Sequence, residues 1–503
     1  MKSLTPRQIV AIIGSVAVIN LIARLIGFLR EVAIGVHYGT SAAADAIIAA
    51  YTIPNFIYLA AGGALTTAFI SVYTNEPEQH KKRAASVILT YTGLAAAVLS
   101  LLFFLLPDLW IQLFFSGMAA DTISLTGDLF RIMALGTFFL TLSMLFTGYL
   151  NANRYYKASA LAPLLFNIVY VGGAVLFMPV IGIDAYAWSV MAAALLMYGY
   201  LFLEIKKRRL ALEPFAYTGG SEGLMKRYLW RALPILLGGA TIQLYFLLQR
   251  IFASGMGEGT IAALNYSSKL IQIPQSILIT AVTTVLFPLI SQMAAAEKKH
   301  ELQEMYKRGI LYLCLLIIPA SVFVFFNAES IISIVFEYGA FDREASQITA
   351  GLLKIFVVGM TAHALNVYLT RFYYAQQLNW LAVGIGAFNV FLVNIGVILF
   401  LMPSLGASAI AWGMTISGLT QLLMLLIIAL YKMDLKPDVG GALIKILGLS
   451  TLLGGIFILM RLMEYSILQL IINVFILMFV MIALLIWTDA EKWSGKIKKL
   501  IRK

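Results

Sequence analysis

Long apolar runs, separated by short polar connections, dominate the chain from near its first residue to position 487. Runs of about 18 or more predominantly apolar residues read as membrane-crossing helices, because the hydrocarbon core must be spanned without a free backbone polar group. The pattern predicts fourteen spans, at 9–35, 44–74, 84–106, 125–150, 158–180, 185–205, 227–250, 260–293, 308–327, 347–373, 380–401, 407–430, 441–462 and 466–487. The runs are continuous rather than alternating, which excludes a β-barrel. The expected fold is an all-α polytopic bundle. The most polar interruptions are 206–226 and the lysine-rich stretch after Trp493, and neither is long enough for a separate soluble domain.

The pattern repeats. At an offset of 220, Arg30 meets Arg250, Gly35 meets Gly255, Gly39 meets Gly259, Asp45 meets Asn265, and Ile53-Pro54 meets Ile273-Pro274. Further on the offset drifts to 224, where Met178-Pro179 meets Met402-Pro403 and Ala187-Trp188 meets Ala411-Trp412. Six spans separate equivalent positions, so the halves share one orientation, about an axis along the membrane normal. Transporters of this kind hold substrate between their halves and work by alternating access. The expected division is an N-lobe at 1–205, a cytoplasmic linker at 206–226, a C-lobe at 227–430, a helix pair at 431–490 and a basic tail at 491–503.

Composition sharpens this in two ways. Of 503 residues, 61% are hydrophobic and 12% charged, and the formal net charge is +12. In a soluble protein that charge would suggest nucleic acid; here it follows topology. The Lys and Arg outside the spans gather at the N-terminus, in loops after even-numbered spans and in the tail, whereas the opposite side holds only Arg343 and, at the very end of span 13, Arg461. The positive-inside rule then places both termini in the cytoplasm. A single cysteine, Cys314, rules out a disulfide framework. No Walker A pattern, metal-ligand spacing or acid–base cluster is present, so neither an enzyme nor a cofactor is expected.

The charges that remain inside the spans carry the chemistry. Arg24, Arg30, Arg131, Arg231, Arg250, Lys269 and Lys354 lie within them. At about 3 kcal/mol each, they would cost roughly 20 kcal/mol if exposed to lipid. Arg131 and Arg231 sit near span starts, where snorkelling accounts for them. For Lys354, pairing or snorkelling is as good a reading as function. Arg24, Arg30, Arg250 and Lys269 lie deeper, on spans 1, 7 and 8. Asn20, Arg24, Gly27 and Glu31 share one helix face, with Arg30 on its shoulder. Asn265, Lys269, Gln272 and Ser276 form a polar face on span 8, where interhelical hydrogen bonding is the competing reading. Glu31 and Asp45 are too few to neutralise four cations, and an excess of buried positive charge calls for an anionic ligand. Pro54 and Pro274, at matching places in spans 2 and 8, break backbone hydrogen bonds. With Gly27, Gly62 and Gly63 they are the candidate hinges, although a static kink would use the same residues.

These residues resemble a known family. Ala23-Arg-Leu-Ile-Gly-Phe-Leu-Arg-Glu31 is similar to the S-R-x-x-G-x-x-R-[DE] motif of the MurJ/MviN lipid II flippases. Asp45-Ala with Ile53-Pro54-Asn55, Glu258-Gly-Thr through Asn265-Tyr and Lys269-Leu, and Phe336-Glu-Tyr-Gly339 resemble three further motifs of that family. The resemblance runs over essentially the whole chain. It implies a flippase of the multidrug/oligosaccharidyl-lipid/polysaccharide exporter superfamily in the bacterial cytoplasmic membrane. Its cargo would be undecaprenyl-pyrophosphate bearing the peptidoglycan precursor, with cell-wall synthesis proteins as further partners and no nucleic acid. Arg24, Arg30, Glu31, Asp45 and Lys269 would be cavity residues, Glu31 and Asp45 pairing with the cations, and spans 13 and 14 would hold the lipid tail. Three features depart from the family pattern. Tyr58 and Leu59 stand where a basic residue is usual, Gly62-Gly63-Ala64 replaces E-G-A, and Lys269 replaces Arg. The acids of the sodium site found in some members have no counterpart on spans 7 and 11. A paralogue exporting another undecaprenyl-linked polysaccharide repeat, a multidrug/cation antiporter of the same superfamily, and a non-transporting scaffold are the alternatives. Too few cavity acids argue against the antiporter.

Overall fold

The structure, a computed structural model, describes residues 6–210, 212–213, 222–281, 286–437, 440–461, 469–482 and 484. The basic tail and the centre of the 206–226 connection lie outside these residues. Everything regular among the described residues is helical. The first helices are α1 (Pro6–Tyr38), α2 (Ala42–Phe56), α3 (Gly62–Asn75), α4 (Glu78–Leu105), α5 (Pro107–Phe115) and α6 (Ala120–Ala152). Then come α7 (Tyr156–Ile181), α8 (Asp184–Lys207), α9 (Glu222–Ala253), α10 (Thr260–Ala281), α11 (Phe287–Ala295) and α12 (Lys299–Phe336). The last are α13 (Arg343–Ala375), α14 (Asn379–Phe388), α15 (Ile395–Leu405), α16 (Ser408–Met433), α17 (Gly440–Arg461) and α18 (Gln469–Ile482).

Among the described residues, ten helices are long and apolar enough to cross a membrane, counting α2 with α3 and α14 with α15 as continuous spans. Their outward faces are apolar, as lipid requires: Leu176, Val180 and Phe400 are exposed. The chain is thus a multi-pass, all-helical membrane protein. Several helices outrun the apolar runs that predicted them. The run at 308–327 becomes Lys299–Phe336, and that at 84–106 begins at Glu78. Polar first turns continue a helix beyond the hydrocarbon, where hydropathy no longer marks it.

Packing divides the chain into two compact units, one comprising 1–265 with 338–341, the other 266–337 with 342–503. In the first, α6 packs on α2, α3, α4 and α8, while α7 lies along α1 and α8. Phe130, Tyr170 and Tyr186 are fully buried there. In the second, α13 packs between α12 and α16, and α17 lies on α12. Tyr306 and Tyr368 each meet Phe372 edge to face at the α12–α13 seam, and the Tyr368 hydroxyl donates to the Met305 carbonyl at 2.6 Å.

Two departures from α geometry matter. Residues 57–61 form a π-turn between α2 and α3, three residues after Pro54. A second π-turn occupies 389–394, between α14 and α15. A π-turn widens the helix by one residue and leaves local backbone bonds weaker. Gly62 follows the first one and lies against Met144, whose Cγ would be 2.7 Å from an added Cβ. Gly63 faces open space.

Candidate functional site

Three charges of the first unit, Arg30, Glu31 and Arg250, belong to one connected network. On α1, Arg30 is ion-paired to Glu31, with Nε 3.1 Å from Oε1. The other Glu31 oxygen accepts from Asn265 Nδ2 at 2.6 Å. The Asn265 carbonyl accepts from Arg250 at 2.8 Å, and Arg250 also donates to Thr52 Oγ1 at 3.0 Å. Arg30, Glu31, Asn265, Arg250 and Thr52 therefore join α1, α2, α9 and the start of α10. The orientation of Asn265 follows from its neighbours: only that way round does the carboxylate meet a donor and the guanidinium an acceptor.

The Arg30 guanidinium is also held between aromatic faces, its central carbon 5.0 Å from the Tyr51 ring centre and 5.3 Å from that of Tyr170. Both rings are buried, and cation–π attraction strengthens when water is excluded. Neither tyrosine was singled out from sequence. Tyr51 sits in an apolar run, and nothing in the spacing ties Tyr170 to Arg30. Within the network two cations meet one anion, a formal excess of +1. Beside Arg250, the buried Gln249 leaves its Nε2 without an acceptor among the described residues.

Asp45 is used differently from the expectation that it would pair with a cation. Its two oxygens accept from the backbone amides of Gly259 and Ala262, each at 2.7 Å. The carboxylate caps α10 from another helix, satisfying amides that the first turn leaves without partners and opposing the positive end of the helix dipole. Its repeat counterpart Asn265 sits in the charge network instead.

Next to this cap, three glycines bring loop backbones into close contact. Gly39 (φ +57°), Gly259 (φ +78°) and Gly339 (φ +63°) all adopt left-handed conformations. A Cβ on each would lie 2.4 Å from the Ala340 carbonyl oxygen, 2.0 Å from that of Thr40 and 2.3 Å from that of Val36, respectively. The Ala340 amide donates to Val36 at 2.8 Å. Only glycine fits both the φ and the space. The Gly39–Gly259 repeat pair pointed here; the part played by Gly339 did not show in the sequence.

The remaining predicted residues are scattered around these features. Arg24 is exposed on α1. Gly27 lets α7 approach: an added Cβ would sit 3.3 Å from Asn167 Oδ1, and Asn167 Nδ2 donates to the Ala23 carbonyl at 2.9 Å. In the second unit, Lys269 donates to Gln272 Oε1 at 3.3 Å, and Gln272 Nε2, itself buried, has no acceptor among the described residues. Pro54 and Pro274 are interior to α2 and α10. The side chain of Ser276 lies outside the described residues. Three intramembrane cations outside the network have local partners. Lys354 pairs with Glu329 at 2.7 Å, Arg131 stands 4.0 Å from Asp128, and Arg231 donates to the Ser71 carbonyl and hydroxyl.

Comparison with known proteins decides the family. The profile of the lipid II flippase MurJ family matches residues 36–487. The chain belongs to that family. It is accordingly a membrane transporter and not an enzyme. Among curated relatives, the lipid II flippase MurJ of Burkholderia cenocepacia is 27% identical over 71% of this chain and 72% of its own length. A probable lipid II flippase MurJ of Bdellovibrio bacteriovorus is 27% identical over 90% of this chain and 87% of its own. Among solved structures, a lipid II flippase MurJ in an inward closed conformation superposes with a TM-score of 0.80 at 20% identity, over 96% of this chain and 99% of that one. An inward-facing multidrug resistance MATE transporter of the MOP superfamily gives 0.71 at 13% identity, over 83% of this chain and 98% of that one. At such identities these likenesses bear on the fold.

Proposed function

We propose that this protein moves undecaprenyl-pyrophosphate-linked peptidoglycan precursor, lipid II, from the inner to the outer leaflet by alternating access. The observation that carries the reading is the Arg30–Glu31–Asn265–Arg250 network, a cluster with more cation than anion gathered around the buried Glu31. A pyrophosphate supplies the missing negative charge, and arginine forks match its oxygens. Arg24, Arg30, Arg250 and Lys269 are the gripping cations of this proposal. Gln272 adds the idle amide beside Lys269, and Glu31 and Asn265 take up the arginines when no headgroup is present. Fourteen spans, both termini cytoplasmic, two six-span lobes rocking about Gly27, Pro54, Gly62, Gly63 and Pro274, and a lipid-tail groove beside spans 13 and 14 complete the scheme. The close-packed backbones at Gly39, Gly259 and Gly339, with the Asp45 cap, form the gate that parts during transport.

The test is rescue of a strain depleted of its sole lipid II flippase. The parent chain restores growth, and Arg30→Ala does not, although it inserts at parental levels. Failure of a well-expressed parent points to another undecaprenyl-linked cargo, the reading favoured by Tyr58, Leu59 and Lys269. Full rescue by Arg30→Ala removes the charge network from the mechanism.

A further inference from the structure

Arg30 and Glu31 are neighbours in sequence, yet consecutive side chains of a helix point about 100° apart and do not face each other. Their ion pair, with Arg30 Nε 3.1 Å from Glu31 Oε1, therefore needs the arginine bent back around α1. Two rings hold it there. Tyr170 on α7 and Tyr51 on α2 have their centres 5.3 and 5.0 Å from the guanidinium carbon, and 5.7 Å from each other. Phe166, one turn before Tyr170, backs it edge to face at 6.0 Å. All three rings are buried.

The two walls are anchored differently. Ala23, Arg30 and His37 recur every seven residues, so they share one face of α1. All three meet α7 or α8. Asn167 donates to the Ala23 carbonyl at 2.9 Å, Tyr170 covers Arg30, and His37 Nδ1 shares a hydrogen bond with the Tyr186 hydroxyl at 2.8 Å. Tyr170 is therefore held in register with α1 on both sides of Arg30. Tyr51 comes from α2, three residues before Pro54, and the missing proline amide and the π-turn that follows weaken the helix there. We propose that Tyr51 and Tyr170 are positioning residues for transport. The inference rests on the flippase reading: their ring faces keep the Arg30 guanidinium in the bent rotamer from which it passes from Glu31 to the pyrophosphate of the cargo. Neither ring touches the cargo. The attraction comes from the π face, so the hydroxyls are dispensable.

The test titrates the full chain in detergent with undecaprenyl pyrophosphate and reads binding by native mass spectrometry. Tyr170→Phe is expected to bind within about twofold of the parent, because it keeps the ring face. Tyr170→Leu and Tyr51→Leu each weaken binding about tenfold, the scale of one desolvated cation–π contact. Tyr170→Phe carrying a trifluorinated ring keeps the shape but withdraws charge from the face. It should weaken binding by a similar factor at an unchanged melting temperature. In an Arg30→Gln background, Tyr170→Leu has no further effect, as expected of residues that act through one another. If that background does not fold, the fluorinated ring decides. Equal binding by the fluorinated and plain Tyr170→Phe variants overturns the proposal and leaves a packing residue. So does an equal loss from Tyr170→Leu with and without Arg30. A parent chain that does not bind undecaprenyl pyrophosphate fails the flippase reading itself, and the inference falls with it.

Discussion

Glu31 is the residue on which the first unit's charges converge. It meets Arg30 with one oxygen and Asn265 with the other, and Asn265 passes the contact on to Arg250. Removing one partner from a buried ionic cluster costs more than the cluster itself contributes, because the remaining charges stay desolvated. Glu31→Ala should therefore destabilise the protein by about 3–5 kcal/mol, seen as a lower melting temperature in detergent. Arg250→Ala should cost less, about 1–3 kcal/mol, since it strands only the neutral acceptors of Thr52 and Asn265. The pair Glu31→Ala with Arg30→Ala should be milder than the sum of its parts, the behaviour of residues in one network. That Arg30 and Glu31 share a site was legible in their spacing. Tyr51, Tyr170 and Thr52 were not, because aromatic and hydroxyl residues inside an apolar run look like core filling until helices are packed.

At the scale of elements, α2 and α10 show how repeat-related helices diverge. Both carry an interior proline, and they begin within two residues of matching positions of the repeat. Asp45 on α2 is committed to the amides of α10, whereas Asn265, in the equivalent place on α10, is committed to Glu31 on α1. Asp45→Asn leaves a single acceptor oxygen for two amides and removes the charge that opposes the helix dipole. A loss of about 1–2 kcal/mol is expected in thermal unfolding. Gly259→Ala is more severe, since its Cβ would lie 2.0 Å from the Thr40 carbonyl oxygen at a positive φ. The loops must move apart. Thr40→Cys, placed in a Cys314→Ala background, should react with maleimide faster when Gly259→Ala is present; unchanged labelling would show that the contact yields without opening. Asp45 was visible in the sequence as an intramembrane acid. Its role was not, because a backbone amide leaves no compositional trace.

For the whole molecule, the apolar runs located helices well: 158–180 became Tyr156–Ile181 and 185–205 became Asp184–Lys207. The prediction missed α5, where Pro107 ends one helix and starts a short one, and it missed both π-turns. These are local backbone events with no change in hydropathy. The proposed topology has a direct check in the same Cys314→Ala background. Lys82→Cys should be labelled only from the cytoplasmic side and Arg343→Cys only from outside. Labelling of both from one side would refute the parity on which the fourteen-span scheme rests.

The sequence by itself determined that this chain is a helical membrane protein, that it is internally repeated, and that it carries more intramembrane cation than anion. Hydropathy, periodicity and charge are sums over the chain and need no coordinates. Only the tertiary structure decided how each charge is used. Glu31 reaches Asn265 across 234 residues of sequence, Asp45 turns from cations to the amides of α10, and Gly339 comes against Val36. Such partners are set by distances of a few ångströms between separately inserted helices. Sequence separation carries no measure of those distances, so a list of buried charges becomes a site only once the helices are packed.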